Sequence, residues 1–499
     1  MKKNIALLML LPAMMAWQCS GPAKDKLPQE FNHTPDLTQL GIDSVKIASV
    51  DSLLQSFVDS SKVNCVTAFV AKGGNVIYHK AFGWKDVENQ IPATTADYYM
   101  LFSQTKAITT AAFMTLVEKG LVAVDDPVSK YFPGIPDQVV TAVNPDGTYE
   151  TRPVATPMTF AHLMSHSSGL GAGLVAEIRR IEAEKAAAEK AEAAAKAAAE
   201  AAAVTDTAAP AAAATDTVAS ATETQSGPCG QHSYYVGENN FPTLEETMLD
   251  LARYPLGFDP GTEWNYHVST NMLAYMIELI SGKSLREYVK ETILDPLGMV
   301  NTDWYYTPDK LENFVKPYNS AEGKLEPATM MNMFVQGTFC SDQTYCEGAI
   351  GLNGPIGDYA RFCQMMLNKG TFNGRRILKA ETIEAMTTIN RLPEVNSGGE
   401  GFRFGLGFEL LVEDARNMGH KKGGRKTRFF GSPFIYLAGS QYLSYAHNFG
   451  GDHRFVQPDQ AIDGHKTRRN HGNFGYSVGN KSKIGKGSSF FFTMPSAGD

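Results

Sequence analysis

The sequence has few cysteines, no excess of basic over acidic residues and no long apolar run, and each of these absences excludes a class of function. It has six cysteines in 499 residues, and none of them shows metal-ligand spacing. The formal net charge is −8, so nothing indicates a nucleic-acid partner. The apolar run near the amino terminus is too short for a membrane span. The rest is ordinary globular composition, in a length that allows one large domain or two to three smaller ones.

The first 19 residues are typical of a secretory signal peptide. Two lysines precede a short apolar core, and Cys19 at its end resembles the lipidated cysteine of a bacterial lipoprotein. Gln18 departs from the small residue usual before such a cysteine, and a plain signal peptide cleaved nearby is the alternative. We expect export to the periplasmic or cell-surface side, with Cys19 as a lipid anchor to a bacterial membrane. Residues 20–45 are polar and are interpreted as a tether.

The other cysteines suggest little chemistry. Cys340 and Cys346 flank a short segment and could form a disulfide in an oxidising compartment. Cys65 and Cys363 lie in apolar runs, which favours buried thiols. Cys229 lies at the edge of a segment that we interpret below as a flexible insertion.

What the chain does have is a single Ser-X-X-Lys sequence, Ser103 to Lys106, followed by a long apolar run. If a helix begins here, the two side chains share one face, about 5–6 Å apart at Cβ. A serine hydroxyl is a poor nucleophile until a base takes its proton. A lysine among apolar neighbours can lose its charge and become that base. The alternative is a surface pair at helical spacing by coincidence.

The run from Tyr98 through Ser103 and Lys106 to Asp125-Asp-Pro-Val-Ser-Lys-Tyr-Phe-Pro resembles the serine β-lactamase-related family. That family includes class C β-lactamases, penicillin-binding D-Ala peptidases and family VIII carboxylesterases. The resemblance implies that Ser103 is the acylated nucleophile and Lys106 its partner. It also implies an α+β fold with an antiparallel sheet flanked by helices, plus an all-helical subdomain.

A second matching stretch is Leu256-Gly-Phe-Asp-Pro-Gly-Thr-Glu-Trp-Asn-Tyr266. By resemblance, Tyr266 completes the catalytic trio, and a core tyrosine is the alternative. We expect a cationic lysine beside it to make its phenolate more accessible. Two residues later, where β-lactamases often carry asparagine, this chain has Val268, which favours the esterase branch.

The resemblance covers residues 46–412, interrupted by a low-complexity insertion at 175–228 that we interpret as a solvated helix followed by a disordered loop. Within 46–412 we predict a first helix over 47–58 and a hairpin over 66–82. His162 and His166 are four apart, but no third ligand accompanies them, so turn and helix contacts are the favoured interpretation. The stretch Gly348 to Phe362 also matches the family.

The family's third motif, Lys-Thr-Gly, His-X-Gly or Trp-Gly-Gly on an edge strand, is not found. Three partial matches fail, because Lys426-Thr427 and His465-Lys466-Thr467 are each followed by arginine and His447 is misplaced before Gly450-Gly451. Residues 413–470 do not resemble the expected central strands, and 413–499 stay unassigned. Residues 471–495 weakly resemble the end of a histidine-kinase ATPase domain, but we predict no ATP binding.

Two functions remain from the sequence, neither of which requires a cofactor. The first is an exported serine hydrolase that forms an acyl-enzyme on Ser103 from small esters, β-lactams or D-amino-acid peptides. The second is a catalytically impaired relative that binds cell-wall fragments or a protein partner, as the missing third motif suggests.

Overall fold

The structure is a computed structural model. It describes the residues 29–205, 243–266, 268–339, 345–392, 397, 402–411 and 434–439. The signal peptide with Cys19, Cys229, Cys340 and every partial match to the third motif lie outside the described residues, as does the kinase-like stretch.

Helices and short antiparallel strands alternate along the described chain. The helices are α1 Ser44–Asp59, α2 Gln104–Glu118, α3 Phe160–Met164, α4 Leu174–Thr205, α5 Leu244–Ala252, α6 Ser269–Ser281, α7 Leu285–Val289, α8 Asp295–Leu297, α9 Thr329–Gly337, α10 Ile356–Leu367 and α11 Ala380–Thr388. The strands are β1 Cys65–Lys72, β2 Asn75–Asp86, β3 Ile91–Pro92, β4 Tyr99–Met100, β5 Gln138–Val143, β6 Tyr149–Pro153, β7 Tyr318–Ala321, β8 Lys324–Pro327, β9 Asn353–Gly354, β10 Thr371–Phe372, β11 Arg375–Arg376, β12 Phe402–Phe404, β13 Glu409–Leu411 and β14 Phe434–Gly439. The predicted first helix and hairpin are confirmed as α1 and β1–β2.

The largest sheet is antiparallel and has the order β14-β1-β2-β3. Because side chains of a strand alternate between faces, Val66, Ala68 and Val70 of β1 pack toward α1. Phe69 and Ala71 point the other way, against Ile356 and the rest of α10. Helices therefore cover both faces of the sheet, as the α+β prediction requires.

Helix α2 lies at the centre of the main core. All residues from Thr105 to Leu116 are buried, and a helix that is buried on all sides needs no polar face. Its main partner is α6, with α3 and α7 alongside. The nucleophile candidate thus sits at the exposed end of a helix that the core holds rigidly.

Two segments that we left outside the folded domain belong to it. Strand β14 falls within 413–470, where we expected no central strand, yet it pairs with β1 from Thr67–Gly439 to Lys72–Phe434. That expectation is wrong for 434–439. Part of the predicted tether is also folded, since Phe31 packs its ring against Phe69 and Phe372 at 5.2 and 5.3 Å.

The insertion begins as the predicted helix, but it is not solvated throughout. Val175 and Ile178 are fully buried against Val140 and Tyr254, and the exposed part of α4 follows beyond them. Residues 206–228 lie outside the described residues, and the domain boundaries remain predictions.

The cysteine predictions have mixed outcomes. Cys346 carries a free, buried thiol rather than half of a disulfide, so the predicted bridge is wrong as far as this residue shows. Cys65 is a buried thiol as expected, and Cys363 is partly buried. Among the described helices, none combines the length and apolar character needed to cross a bilayer.

Candidate active site

The nucleophile candidate follows a strained residue. Phe102 has φ +46°, a left-handed conformation that is uncommon outside glycine and clusters at functional sites. Ser103 comes next as the amino-terminal cap residue of α2, with its side chain exposed. Its N–H donates to no acceptor in the part of the chain that the structure describes. This N–H, at the positive end of a helix dipole, suits a developing oxyanion.

Lys106 lies one turn along α2 and is 3% exposed. Its Nζ is 3.1 Å from Ser103 Oγ and donates to the Ala349 carbonyl at 3.1 Å. Burial lowers the pKa of Lys106 to about 7, against a smaller opposing effect of the Glu347 carboxylate. Near neutral pH a large fraction of this amine is therefore uncharged and can accept a proton.

Tyr266 completes the group. Its ring lies beneath Lys106, with Nζ 4.7 Å from the ring centroid, and the Ser103 hydroxyl is close enough to favour its phenolate slightly. Burial, with a contribution from the Glu409 carboxylate, raises the pKa of Tyr266 to about 12. Our expectation of an accessible phenolate is wrong, because removal from water favours the neutral phenol.

The structure thus brings together Ser103, Lys106 and Tyr266, while the catalytic roles assigned to them remain predictions. The sequence did not point to the Ala349 carbonyl, because a backbone acceptor carries no residue signature. The glycine before Ala349 was one sequence signal for this close contact. A Cβ at the preceding Gly348 would lie 2.4 Å from Ala274 Cβ, so only glycine lets this segment approach the helices so closely.

The two histidines of the predicted turn, His162 and His166, make different contacts. His162 Nδ1 accepts the Thr159 N–H at 3.1 Å and completes a capping box of α3, which confirms the favoured interpretation. His166 is buried at φ +58° and packs its ring 4.5 Å from that of Tyr266. No cluster that could hold a metal ion occurs in the described part of the chain.

Val268 directly precedes α6 and is 7% exposed within the main core. It offers no hydrogen bond to a substrate amide, as the sequence indicated.

Comparison with known proteins agrees with this fold. Residues 50–442 match the family described as Beta-lactamase. Esterase EstB of Burkholderia gladioli is 24% identical over 296 residues, which cover 59% of this chain and 60% of that protein. An Escherichia coli K12 protein, provisionally named a D-alanyl-D-alanine carboxypeptidase, is 24% identical over 421 residues, or 81% and 80% of the two chains.

Among solved structures, simvastatin synthase LovD from Aspergillus terreus has a TM-score of 0.56 at 20% identity, and the match covers 79% of this chain and 93% of that one. At this identity the likeness concerns the fold alone. The family match runs 30 residues beyond the predicted end at 412 (442 minus 412) and includes β14.

Proposed function

Because the chain belongs to the beta-lactamase family of serine hydrolases and acyltransferases, we propose that it hydrolyses small esters through an acyl-enzyme on Ser103. The observation that carries the proposal is the contact of Lys106 Nζ with Ser103 Oγ at 3.1 Å, made by an amine with a pKa of about 7.

The proton path follows from the two pKa values. Neutral Lys106 takes the hydroxyl proton as Ser103 Oγ forms its bond to the substrate carbonyl carbon. The Ser103 N–H stabilises the oxyanion of the tetrahedral intermediate. Tyr266, a buried neutral phenol beside Lys106, passes a proton to the leaving oxygen and is reprotonated from Lys106. Water then attacks the acyl-enzyme by the reverse path and restores the Ser103 hydroxyl.

Esters are the preferred substrate class for two reasons. Val268 replaces an amide that would hold a β-lactam side chain, and it is buried in the core. Esterase EstB is among the relatives. β-Lactams and D-amino-acid peptides are the other candidates, the latter because of the Escherichia coli relative.

The test is covalent labelling with a fluorophosphonate probe, located by mass spectrometry. We expect the probe on Ser103, and we expect Ser103→Ala to lose it. A matched control is Ser168→Ala, a buried serine that bonds to Ser269 outside this group, which should label normally. Undiminished labelling of Ser103→Ala would refute the assignment. Faster turnover of nitrocefin than of p-nitrophenyl acetate would contradict the ester preference.

The second candidate function is binding without turnover, to cell-wall fragments or a protein partner. The absence of Lys-Thr-Gly from the sequence favours it. No probe adduct on the wild-type protein and no turnover of either substrate would support this candidate.

We also propose that the protein is exported and lipid-anchored through Cys19, on the basis of the lysines and apolar core that precede this residue. Metabolic labelling with a fatty-acid analogue should mark the wild type and not Cys19→Ser. Equal labelling of both, or of neither, contradicts the anchor.

A further inference from the structure

A buried chain of hydrogen bonds connects Lys106 to the carboxylate of Glu347. Lys106 Nζ donates to the Ala349 carbonyl at 3.1 Å. The Ala349 N–H donates to Asn271 Oδ1 at 2.9 Å, and Asn271 Nδ2 donates to Glu347 Oε1 at 3.0 Å. The four residues of this chain come from three places: Lys106 from α2, Asn271 from α6, and Glu347 and Ala349 from the segment that precedes β9.

The orientation of the Asn271 amide is fixed by its neighbours. A backbone N–H only donates and an ionised carboxylate only accepts, so the amide oxygen must face Ala349 and the amide nitrogen must face Glu347. Asn271 is 0% exposed and Glu347 is 5% exposed. Reversing the amide would set two donors against each other at Ala349 and two acceptors against each other at Glu347, which is costly in a buried place.

Two further hydrogen bonds hold the segment itself. Trp304 Nε1 donates to the Glu347 carbonyl at 2.9 Å, and Thr109 Oγ1 donates to the Gly348 carbonyl at 2.7 Å. Glu347 is therefore fixed in place rather than carried on a free loop. Its negative charge favours the protonated form of Lys106 and opposes the effect of burial.

From this geometry we propose that Asn271 and Glu347 are positioning residues for Lys106. Asn271 aligns the Ala349 carbonyl that holds the amine against Ser103, and Glu347 sets the pH at which the amine becomes a base. The inference rests on the proposed function, because it assigns to Lys106 the removal of the serine proton.

The test is the rate of fluorophosphonate labelling of Ser103 as a function of pH. Glu347→Gln keeps an oxygen for Asn271 but removes the charge. The pKa of Lys106 should then fall, so the rising limb of the profile should move to lower pH by roughly half a unit to one unit. A merely structural role of Glu347 would lower the rate without moving the limb.

The matched control is Glu278→Gln. Glu278 is a half-buried carboxylate on α6 that accepts the Leu285 N–H at 2.8 Å, away from Lys106. We expect the rising limb of the Glu278→Gln profile to coincide with that of the wild type.

A second variant, Asn271→Ala, tests whether Asn271 aligns the Ala349 carbonyl that holds Lys106. It should lower the plateau rate by roughly ten- to a hundredfold, as misplacement of a catalytic group does, in a protein whose thermal unfolding remains cooperative. An unmoved limb in Glu347→Gln overturns the role of Glu347, and an unchanged plateau in Asn271→Ala overturns that of Asn271. If Glu347→Gln does not fold, Glu347→Met, which also removes the charge at a similar volume, is tested for the same shift of the limb. Absence of wild-type labelling overturns the proposed function and this inference together.

Discussion

At the scale of single residues, burial shifts the pKa values of Lys106 and Tyr266 in opposite directions, and both shifts favour the neutral side chain. It lowers the pKa of the amine to about 7 and raises that of the phenol to about 12. Removal from water disfavours whichever form is charged. Both groups are therefore available in neutral form near pH 7, so that one can accept a proton while the other donates one.

The Tyr266 hydroxyl should matter for rate and not for fold. Tyr266→Phe keeps the ring that packs on His166 and Lys106 but removes the proton relay. We expect turnover of p-nitrophenyl acetate to fall by about 10²–10³, within the range for general acid–base catalysis.

Tyr275→Phe is the control for this variant, since it removes a hydroxyl on α6 that bonds Glu245 at 3.2 Å. We expect it to keep full activity. Activity of Tyr266→Phe equal to that of Tyr275→Phe would rule out the relay.

At the scale of elements, α4 combines a buried base with an exposed extension. Ile178→Ala should lower the free energy of unfolding by about 2–4 kcal/mol, because it empties a fully buried site. Ala194→Pro should interrupt the exposed part of the same helix and leave global unfolding unchanged. Denaturant unfolding of the two variants checks this, and equal destabilisation would show that the extension packs against the domain.

Sequence alone could predict the elements whose signals are local. The β1–β2 hairpin has a Gly73-Gly74 turn between apolar runs, and Ser103 and Lys106 are separated by one helical turn. The contact between Glu347 and Asn271 joins residues 76 apart in the chain, and no local pattern indicates it. The shifted pKa of Tyr266 likewise depends on burial that only the folded chain supplies.

At the scale of the whole molecule, the sheet assembles from segments near both ends of the described chain. Strand β14 was missed because its apolar run is short and its flanks are rich in basic residues and glycine, whereas its pairing partner β1 lies more than 350 residues earlier. Phe31 was missed because a lone aromatic residue in a polar stretch has no periodicity. In both cases, long-range packing decides the structure.

The most direct test of the account is the pH dependence of Ser103 acylation in the wild-type protein, followed by fluorophosphonate labelling. With neutral Lys106 as base, the rate should rise with a midpoint near pH 7. It should then stay level to about pH 10, because the phenol of Tyr266, with a pKa of about 12, is still protonated there. A rate that keeps rising through pH 9 to 10 would contradict the account, because it would mean that a group of much higher pKa removes the serine proton.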